Sequence, residues 1–296
     1  MPVAIEVQRF KVTSLDVDHH DVTWEIDETT EDIFDYTFQL LRSEGPEGPY
    51  EPVSAEMEDL YRFVDNNIRR GHIYATLYYK LFVKHKASGD TRLFGPVAKL
   101  PEADLIAVEL RRHMNLLMRE FVGRRCWVLP VRTFGQRCNC WSKTLAKRRH
   151  SMCAACFDTS FVRGYLTPIE SWISIDPTTA SEQNDNTGPK QQVNTTARLG
   201  WYPPLKPRDM IIEGENKRWR VNTITNTEQT RASLRQEITL HEIPPGDIEY
   251  KLELDLGKAL YNMWLSPARN FTNPQNLETF HDEELPDPVS LYSGGR

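Results

Sequence analysis

Short stretches of alternating apolar and polar side chains recur through the first hundred residues, as is typical of half-buried β-strands. Residues 22–26 and 36–42 show this pattern, and residues 73–85 are rich in aromatic and β-branched side chains. A Gly/Pro cluster at residues 43–49 demands a turn. We therefore predict a β-sandwich for this region, with a short helix in the acidic stretch 54–67.

The spacing of apolar positions changes after residue 100 from that of a strand to that of a helix. Pro101 suits the first position of a helix, and Gly123 suits its end. Between them, one apolar stripe repeats every three or four residues; it consists of Ile106, Leu110, Met114, Leu117 and Phe121. The pattern predicts a helix whose stripe packs within its own chain or against a second chain.

Residues 161–254 return to the short alternating patterns of β-strands. Strands are predicted near residues 172–175, 218–224 and 234–240, where apolar and polar side chains alternate. Residues 178–196 are poor in apolar side chains and rich in Asn, Gln and Thr, which predicts an exposed, mobile loop. This third part of the chain is expected to be mainly β.

The tail, residues 255–296, shows no helical or strand period but keeps large aromatic side chains between its prolines. Ordering such a backbone costs roughly 1–2 kcal/mol per residue, which buried aromatic groups must offset. We predict an extended arm that contacts neighbouring subunits; the alternative is an arm that wraps its own chain. The predicted interface residues are Tyr261, Trp264, Phe271 and Phe280.

Four of the five cysteines form two close pairs, Cys138 with Cys140 and Cys153 with Cys156. Two such pairs can offer four thiolates to one tetrahedral Zn²⁺ ion, and that ion is structural because it keeps no open position for water. A disulfide within either pair would close a small, strained ring. Disulfides across the pairs and thiols in a core are the alternatives, although the chain shows no secretory signal. We predict a structural zinc site, with Cys126 as a buried small side chain.

The formal net charge of −6 conceals an uneven distribution. Residues 111–149 contain nine arginines and two lysines against one glutamate, a local charge of +10, so the rest of the chain carries −16. This asymmetry indicates an anionic partner, either a nucleic acid or the acidic surface of a neighbouring copy. The predicted basic patch around the cysteines comprises Arg124, Arg125, Arg132, Arg137, Lys143, Lys147, Arg148 and Arg149.

The sequence contains no Gly-rich phosphate loop, no metal-hydrolase helix motif and no nucleophile elbow. His19 and His20 stand among Asp16, Asp18 and Asp21, but adjacent side chains of a strand point apart, and we interpret them as a solvated polar turn. No apolar run is long enough to span a membrane. We therefore expect a protein that is not an enzyme and has no membrane partner.

The order of parts in the N-terminal region resembles a fibronectin type III domain. The matching features are Trp24 on the second strand, residues 48–53 after the third, and residues 78–83 leading to residues 95–97. The resemblance covers residues 3–99 and implies a sandwich that spaces, displays or binds. Trp24 is expected to pack in its core.

In the later part, a loop ending in residues 206–211 is followed by residues 218–221 and by a strand closing on Ile243. With the cysteine-bearing stretch 138–165, this order resembles the small β-barrel neck proteins of tailed bacteriophages. Those head-to-tail connector or head-closure proteins form rings beneath the portal. The likeness covers residues 120–252.

This resemblance implies a structural virion protein, assembled in the host cytoplasm, that lies in the neck between portal and tail. Its partners would be its own copies in a ring of six or twelve, the portal and tail proteins, and packaged DNA. A tail or baseplate position is one alternative. A zinc-dependent nucleic-acid-binding protein is the other.

The predicted fold is mainly β and has four parts. The first is an immunoglobulin- or fibronectin-like sandwich, and the second is a linking helix with the four-cysteine zinc segment. The third is a ring-forming β-barrel, and the fourth is the extended arm. Their bounds are residues 1–99, 100–160, 161–254 and 255–296.

Overall fold

The protein, seen in a computed structural model, is mainly β, with a single long helix in the part of the chain that the structure describes. The described residues are 5–16, 19–29, 32–68, 75–99, 105–176, 179–185, 188–213, 216–229 and 232–253. The predicted helix start at Pro101 lies outside them. So does the predicted arm, with its interface residues Tyr261, Trp264, Phe271 and Phe280.

Two antiparallel sheets share one hydrophobic core in the N-terminal module, the described residues between 5 and 99. Its strands are β1 (Lys11–Asp16), β2 (His19–Thr23), β3 (Tyr36–Ser43), β4 (Glu51–Pro52), β5 (Arg62–Asp65), β6 (Tyr78–His85) and β7 (Thr91–Ala98). One sheet has the order β1-β2-β5 and the other the order β4-β3-β6-β7. Trp24, Phe38 and Tyr79 are buried in the shared core, which confirms the prediction for Trp24.

The acidic stretch 54–67 does not form the predicted helix. Its segment Arg62–Asp65 is β5, which pairs with β2. Phe63 packs in the core of the N-terminal module, whereas Val64 packs on Trp201 of the later part of the chain. Neighbouring side chains of a strand point to opposite faces. Phe63 and Val64 are therefore buried against different parts of the chain.

The linking helix α1 spans Leu105–Leu117 and continues as a π-helical turn, Met118–Val122. It ends at Gly123, as predicted, where the Gly123 N–H donates to the Met118 carbonyl oxygen over 2.8 Å. A Cβ atom on residue 123 would lie 2.4 Å from that oxygen. Because any larger residue would clash with the backbone there, glycine fits the end of this helix.

Strands on both sides of the cysteine pairs build the later part of the chain. They are β8 (Arg124–Leu129), β9 (Trp141–Ser142), β10 (Lys147–Arg148), β11 (Ile169–Ile175), β12 (Thr179–Asp185), β13 (Gly188–Gly200), β14 (Met210–Ile212), β15 (Arg218–Gln229) and β16 (Ala232–Glu242). Strands β9 and β10 pair only with each other in a small separate sheet.

Six of these strands close into a β-barrel. Their order is β11-β8-β14-β15-β16-β13, and β13 pairs again with β11. Around the closed barrel, strands β8 and β14 lie across from strands β16 and β13. Cys126, Val128, Trp219 and Leu240 are buried in the interior, as predicted for Cys126. Strand β8 precedes the cysteine pairs, so the barrel begins earlier in the chain than the predicted boundary at residue 161.

Residues 178–196 are not the predicted loop. Their described residues belong to β12 and β13, which pair with each other from Thr179↔Asn194 to Asp185↔Gly188. The polar composition misled the sequence interpretation, because the backbone hydrogen bonds that pair two strands do not require apolar side chains. The pairing of β12 and β13 adds a seventh strand beside the closed barrel.

A short 3₁₀ segment, Ile248–Lys251, follows β16. Tyr250 within this segment and Leu252 just after it pack on a cluster that includes Leu129 of β8 and Met210 of β14. The described chain thus ends against the β8/β14 wall of the barrel. Helix α1 contacts β13 and β16, and its π-helical turn contacts β8 and β11.

Candidate metal centre

The four paired cysteines lie in the connection from β8 to β11, residues 130–168, which we call the cysteine segment. Its two sides run antiparallel, because Val131 bridges to Tyr165 and Arg137 bridges to Phe161. The barrel holds both ends of the segment, since β8 and β11 are paired neighbours. This arrangement brings together two cysteine pairs that are twelve residues apart in sequence.

The four sulfur atoms lie within 4.8 Å of one another. The Sγ atoms of Cys138 and Cys153 are 3.7 Å apart, and those of Cys140 and Cys156 are 3.4 Å apart. All five cysteines are free thiols. Four sulfurs at about 2.3 Å from a zinc ion stand about 3.8 Å apart in a tetrahedron, so the donor set fits such an ion. The predicted grouping of the cysteines is confirmed, and the four could bind a metal ion such as zinc.

Tight turns at each pair direct the sulfurs inward. The Trp141 N–H donates to the Cys138 carbonyl oxygen over 2.9 Å, and the Phe157 N–H donates to that of Cys153 over 2.8 Å. Several non-glycine residues adopt a positive φ, a conformation that costs about 1–3 kcal/mol each. In the cysteine segment these residues are Ala146, Met152, Phe157, Asp158, Ser160 and Arg163.

The environments of the thiols differ. Burial raises the pKa of Cys140 and of Cys156. Burial also acts to raise the pKa of Cys153, but the N–H groups of Ala155 and Cys156 donate to its sulfur and lower the pKa to about 7. Thiol contacts with Cys138 and Cys156 act in the same direction. A divalent cation would supply the positive charge that lets all four sulfurs bind as thiolates.

The structure divides the predicted basic patch into paired and unpaired residues. Arg125 pairs with Glu170 at 2.6 Å, Arg148 pairs with Asp158 at 2.6 Å, and Arg137 pairs with Glu28 at 3.0 Å. The Arg137 guanidinium also lies over the rings of Trp141 and Phe161, at 4.4 and 4.1 Å from their centroids. Arg137 and Arg148 therefore help to hold the cysteine segment in place, and Arg125 links the two strands at its ends.

Four members of the predicted patch are exposed and make no ion pair with the described residues: Arg124, Lys143, Lys147 and Arg149. The last three lie on the loop between the cysteine pairs. Leu145 and Met152 in the same region are each 61% exposed. The loop therefore offers cationic and apolar groups together.

Arg132 does not lie on this surface. Its side chain is 1% exposed, and its Nη2 atom lies 2.7 Å from Oδ1 of Asp59 in the N-terminal module. Arg163 binds the other oxygen of Asp59 over 2.9 Å. No pattern in the sequence indicated this ion pair, because Asp59 stands 73 residues from Arg132.

The interpretation of His19 and His20 as a solvated turn is wrong. Both lie on β2 and are at most 4% exposed. The Nδ1 atom of His20 is 2.8 Å from the Tyr79 hydroxyl, which donates to Asp65 over 2.9 Å. Pairing of β2 with β1 and β5 places these residues inside a sheet, where the buried polar groups bind one another.

Among the described residues, no helix has the length and apolar character needed to cross a membrane. No family model matches the chain, and a search of curated proteins finds no match.

Proposed function

We propose that the protein is a structural assembly protein that forms a ring in the neck of a tailed-phage virion, between portal and tail. The carrying observation is the closed barrel with a four-thiol site built into one of its connections. Four thiolates would complete the coordination of a zinc ion, so the ion would hold the chain together and perform no chemistry. This arrangement supports a scaffold and not a catalyst.

The resemblance of residues 120–252 to phage neck proteins supports the ring and its place in the virion. The N-terminal module supports the proposal in a different way, because two sheets around one core suit a fibronectin type III-like sandwich. Such a module would face outward from the ring. The ring's copies, six or twelve, would then meet the portal on one side and the tail on the other.

A zinc-dependent nucleic-acid-binding protein is the second candidate. The observation that favours it is the exposed loop with Lys143, Lys147 and Arg149, since unpaired cations attract phosphates. Trp141 beside the loop is partly exposed and offers a face for stacking. Replacing these three cations with glutamate should abolish DNA binding and leave the mass of a ring unchanged.

Light scattering after size-exclusion chromatography, followed by electron microscopy, tests the first proposal. The expected result is a closed ring of six or twelve copies, formed by the purified chain or recovered in virions. A monomer that binds DNA with steep salt dependence would overturn the ring and favour the second candidate.

A further inference from the structure

Helix α1 and its π-helical turn leave a large apolar surface uncovered. We call it the helix patch; it consists of Ile106, Leu116, Leu117, Phe121 and Val122, which are 45–78% exposed. The other side of the helix is buried at Ala107 and Met118, and Arg111 donates to the Ser233 carbonyl oxygen on β16 over 2.8 Å. The helix is therefore already docked on the barrel, and this packing leaves the patch open.

Three residues of the predicted apolar stripe, Ile106, Leu117 and Phe121, belong to this patch. The sequence left two partners open for the stripe, its own chain or a second chain. Within the described residues, the chain does not cover these three side chains. Exposed apolar groups that cluster on one surface mark interaction sites.

The arm has the composition that complements this surface. Residues 255–296 carry six carboxylates and three cationic side chains, a net charge of −3. Residues 105–125 carry five arginines and two glutamates, a net charge of +3. The arm also holds the aromatic side chains of Tyr261, Trp264, Phe271 and Phe280, which would bury large apolar areas in an interface.

The end of the described chain and the helix contact the barrel at different places. The described chain ends at Glu253 after packing near Leu129 of β8 and Met210 of β14, α1 contacts β13 and β16, and the π-helical turn contacts β8 and β11. In a ring, each copy meets its two neighbours through opposite faces, in a head-to-tail contact. The helix patch of the next copy is then available to the arm, since the described residues of that copy leave it exposed.

We propose that the arm of each copy binds the helix patch of its neighbour. This inference rests on the proposed ring and names the contact that links adjacent copies. Apolar contact of the arm's aromatic groups with Leu117 and Phe121 supplies the binding, and the opposite charges orient the arm. Forty-two residues reach roughly 140 Å when extended, so the arm is long enough to cross a neighbouring barrel.

Photo-crosslinking of the full chain tests the proposal directly. Phe121 is replaced with p-benzoylphenylalanine, which keeps the aromatic character, and equal amounts of ¹⁴N- and ¹⁵N-labelled chains are assembled together. Mass spectrometry should find crosslinks from position 121 to residues 255–296, with about half of them joining a light chain to a heavy one. The same substitution at Leu93, which is 54% exposed on β7, is the control and should give no arm crosslinks.

Charged substitutions give an independent readout. The double variant Leu117→Asp and Phe121→Asp should raise the hydrogen-exchange rates of residues 255–296 at least tenfold, while Leu93→Asp should leave them unchanged. Cooperative melting should persist in both variants, because the replaced side chains are exposed. Loss of the cooperative transition would instead show that the patch packs within its own chain, and would overturn the proposal.

The outcomes separate this inference from the proposed ring. A ring whose position-121 crosslinks avoid the arm would overturn the inference and leave the ring standing. Crosslinks to the arm that never join light and heavy chains would show that each arm covers its own helix, which also overturns it. A strictly monomeric chain would overturn both proposals.

Discussion

Arg132 and Asp59 form a buried ion pair that joins the cysteine segment to the N-terminal module. Nη2 of Arg132 lies 2.7 Å from Oδ1 of Asp59, and the two side chains are 1% and 5% exposed. The Arg132 guanidinium also lies over the Tyr61 ring, 5.2 Å from its centroid. Removing one partner of such a pair leaves an uncompensated buried charge. This contact holds the two parts of the chain together.

The first prediction concerns this pair. Asp59→Asn keeps the size of the side chain but removes its charge, and should lower the free energy of unfolding by about 3–5 kcal/mol. Glu28→Gln is the matched control, because Glu28 pairs with Arg137 near the surface, and should cost at most about 1 kcal/mol. Urea unfolding followed by circular dichroism measures both. Equal losses in the two variants would contradict the prediction.

The second prediction concerns the cysteines. Metal analysis of the purified chain should give about one equivalent of zinc, and Cys140→Ser or Cys153→Ser should lower it to near zero. Hydrogen exchange in residues 130–168 should then increase, while the N-terminal module stays folded. Cys126→Ala is the control, since Cys126 lies in the barrel interior, and should retain the metal. Absence of metal from the wild-type chain would refute the site.

The third prediction is that residues 1–99 fold independently and are not needed for ring formation. A chain beginning at Lys99 should still assemble, as judged by light scattering. This shortened chain lacks Asp59, so the buried Arg132 has lost its partner. The same chain with Arg132→Met is the control, because it removes the unpaired charge. If both chains aggregate while the full chain is soluble, the module is part of the core assembly.

The fourth prediction concerns pH. Asp209 accepts hydrogen bonds from the N–H groups of Val131 (2.8 Å) and Lys206 (2.6 Å), but burial outweighs them and raises its pKa to about 6. Between about pH 4 and pH 6 the folded state therefore keeps a proton that the unfolded state has lost. Stability should fall as the pH rises through this window.

Asp209→Asn removes this titration. Between pH 4 and pH 6 the free energy of unfolding of this variant should fall less steeply with pH than that of the wild type. The two slopes should differ by up to about 1.4 kcal/mol per pH unit. Burial also raises the pKa of Asp21, but Asp21 titrates in both proteins, so the difference isolates Asp209. Parallel curves from chemical denaturation across the window would contradict the assignment.

Some local patterns in the sequence predicted local structure correctly. The cysteine spacing identified four thiols that come together, and Gly123 marked the end of the helix. Trp24 and Cys126 are buried as expected. Each of these predictions depends on a few neighbouring residues, or on a single side chain that is buried because it is apolar.

Contacts between distant residues could not be predicted from the same patterns. The pair Asp59–Arg132 spans 73 positions, and a basic residue among other basic residues resembles a solvated one. Strands β12 and β13 carry few apolar side chains, so their pairing follows from backbone hydrogen bonds that leave no period in the sequence. The apolar stripe of the helix was recognised from its period. The period alone could not show which residues of the stripe the barrel covers.

The left-handed residues of the cysteine segment have a consequence for the order of folding. Six non-glycine residues between Ala146 and Arg163 hold a positive φ, and the same segment carries Arg132 and Arg163, which bind Asp59. Without an ion to offset this strain, we expect the segment to relax and release the N-terminal module. Metal uptake would then precede docking of the two parts, so that only a chain already loaded with its ion holds the N-terminal module against the cysteine segment.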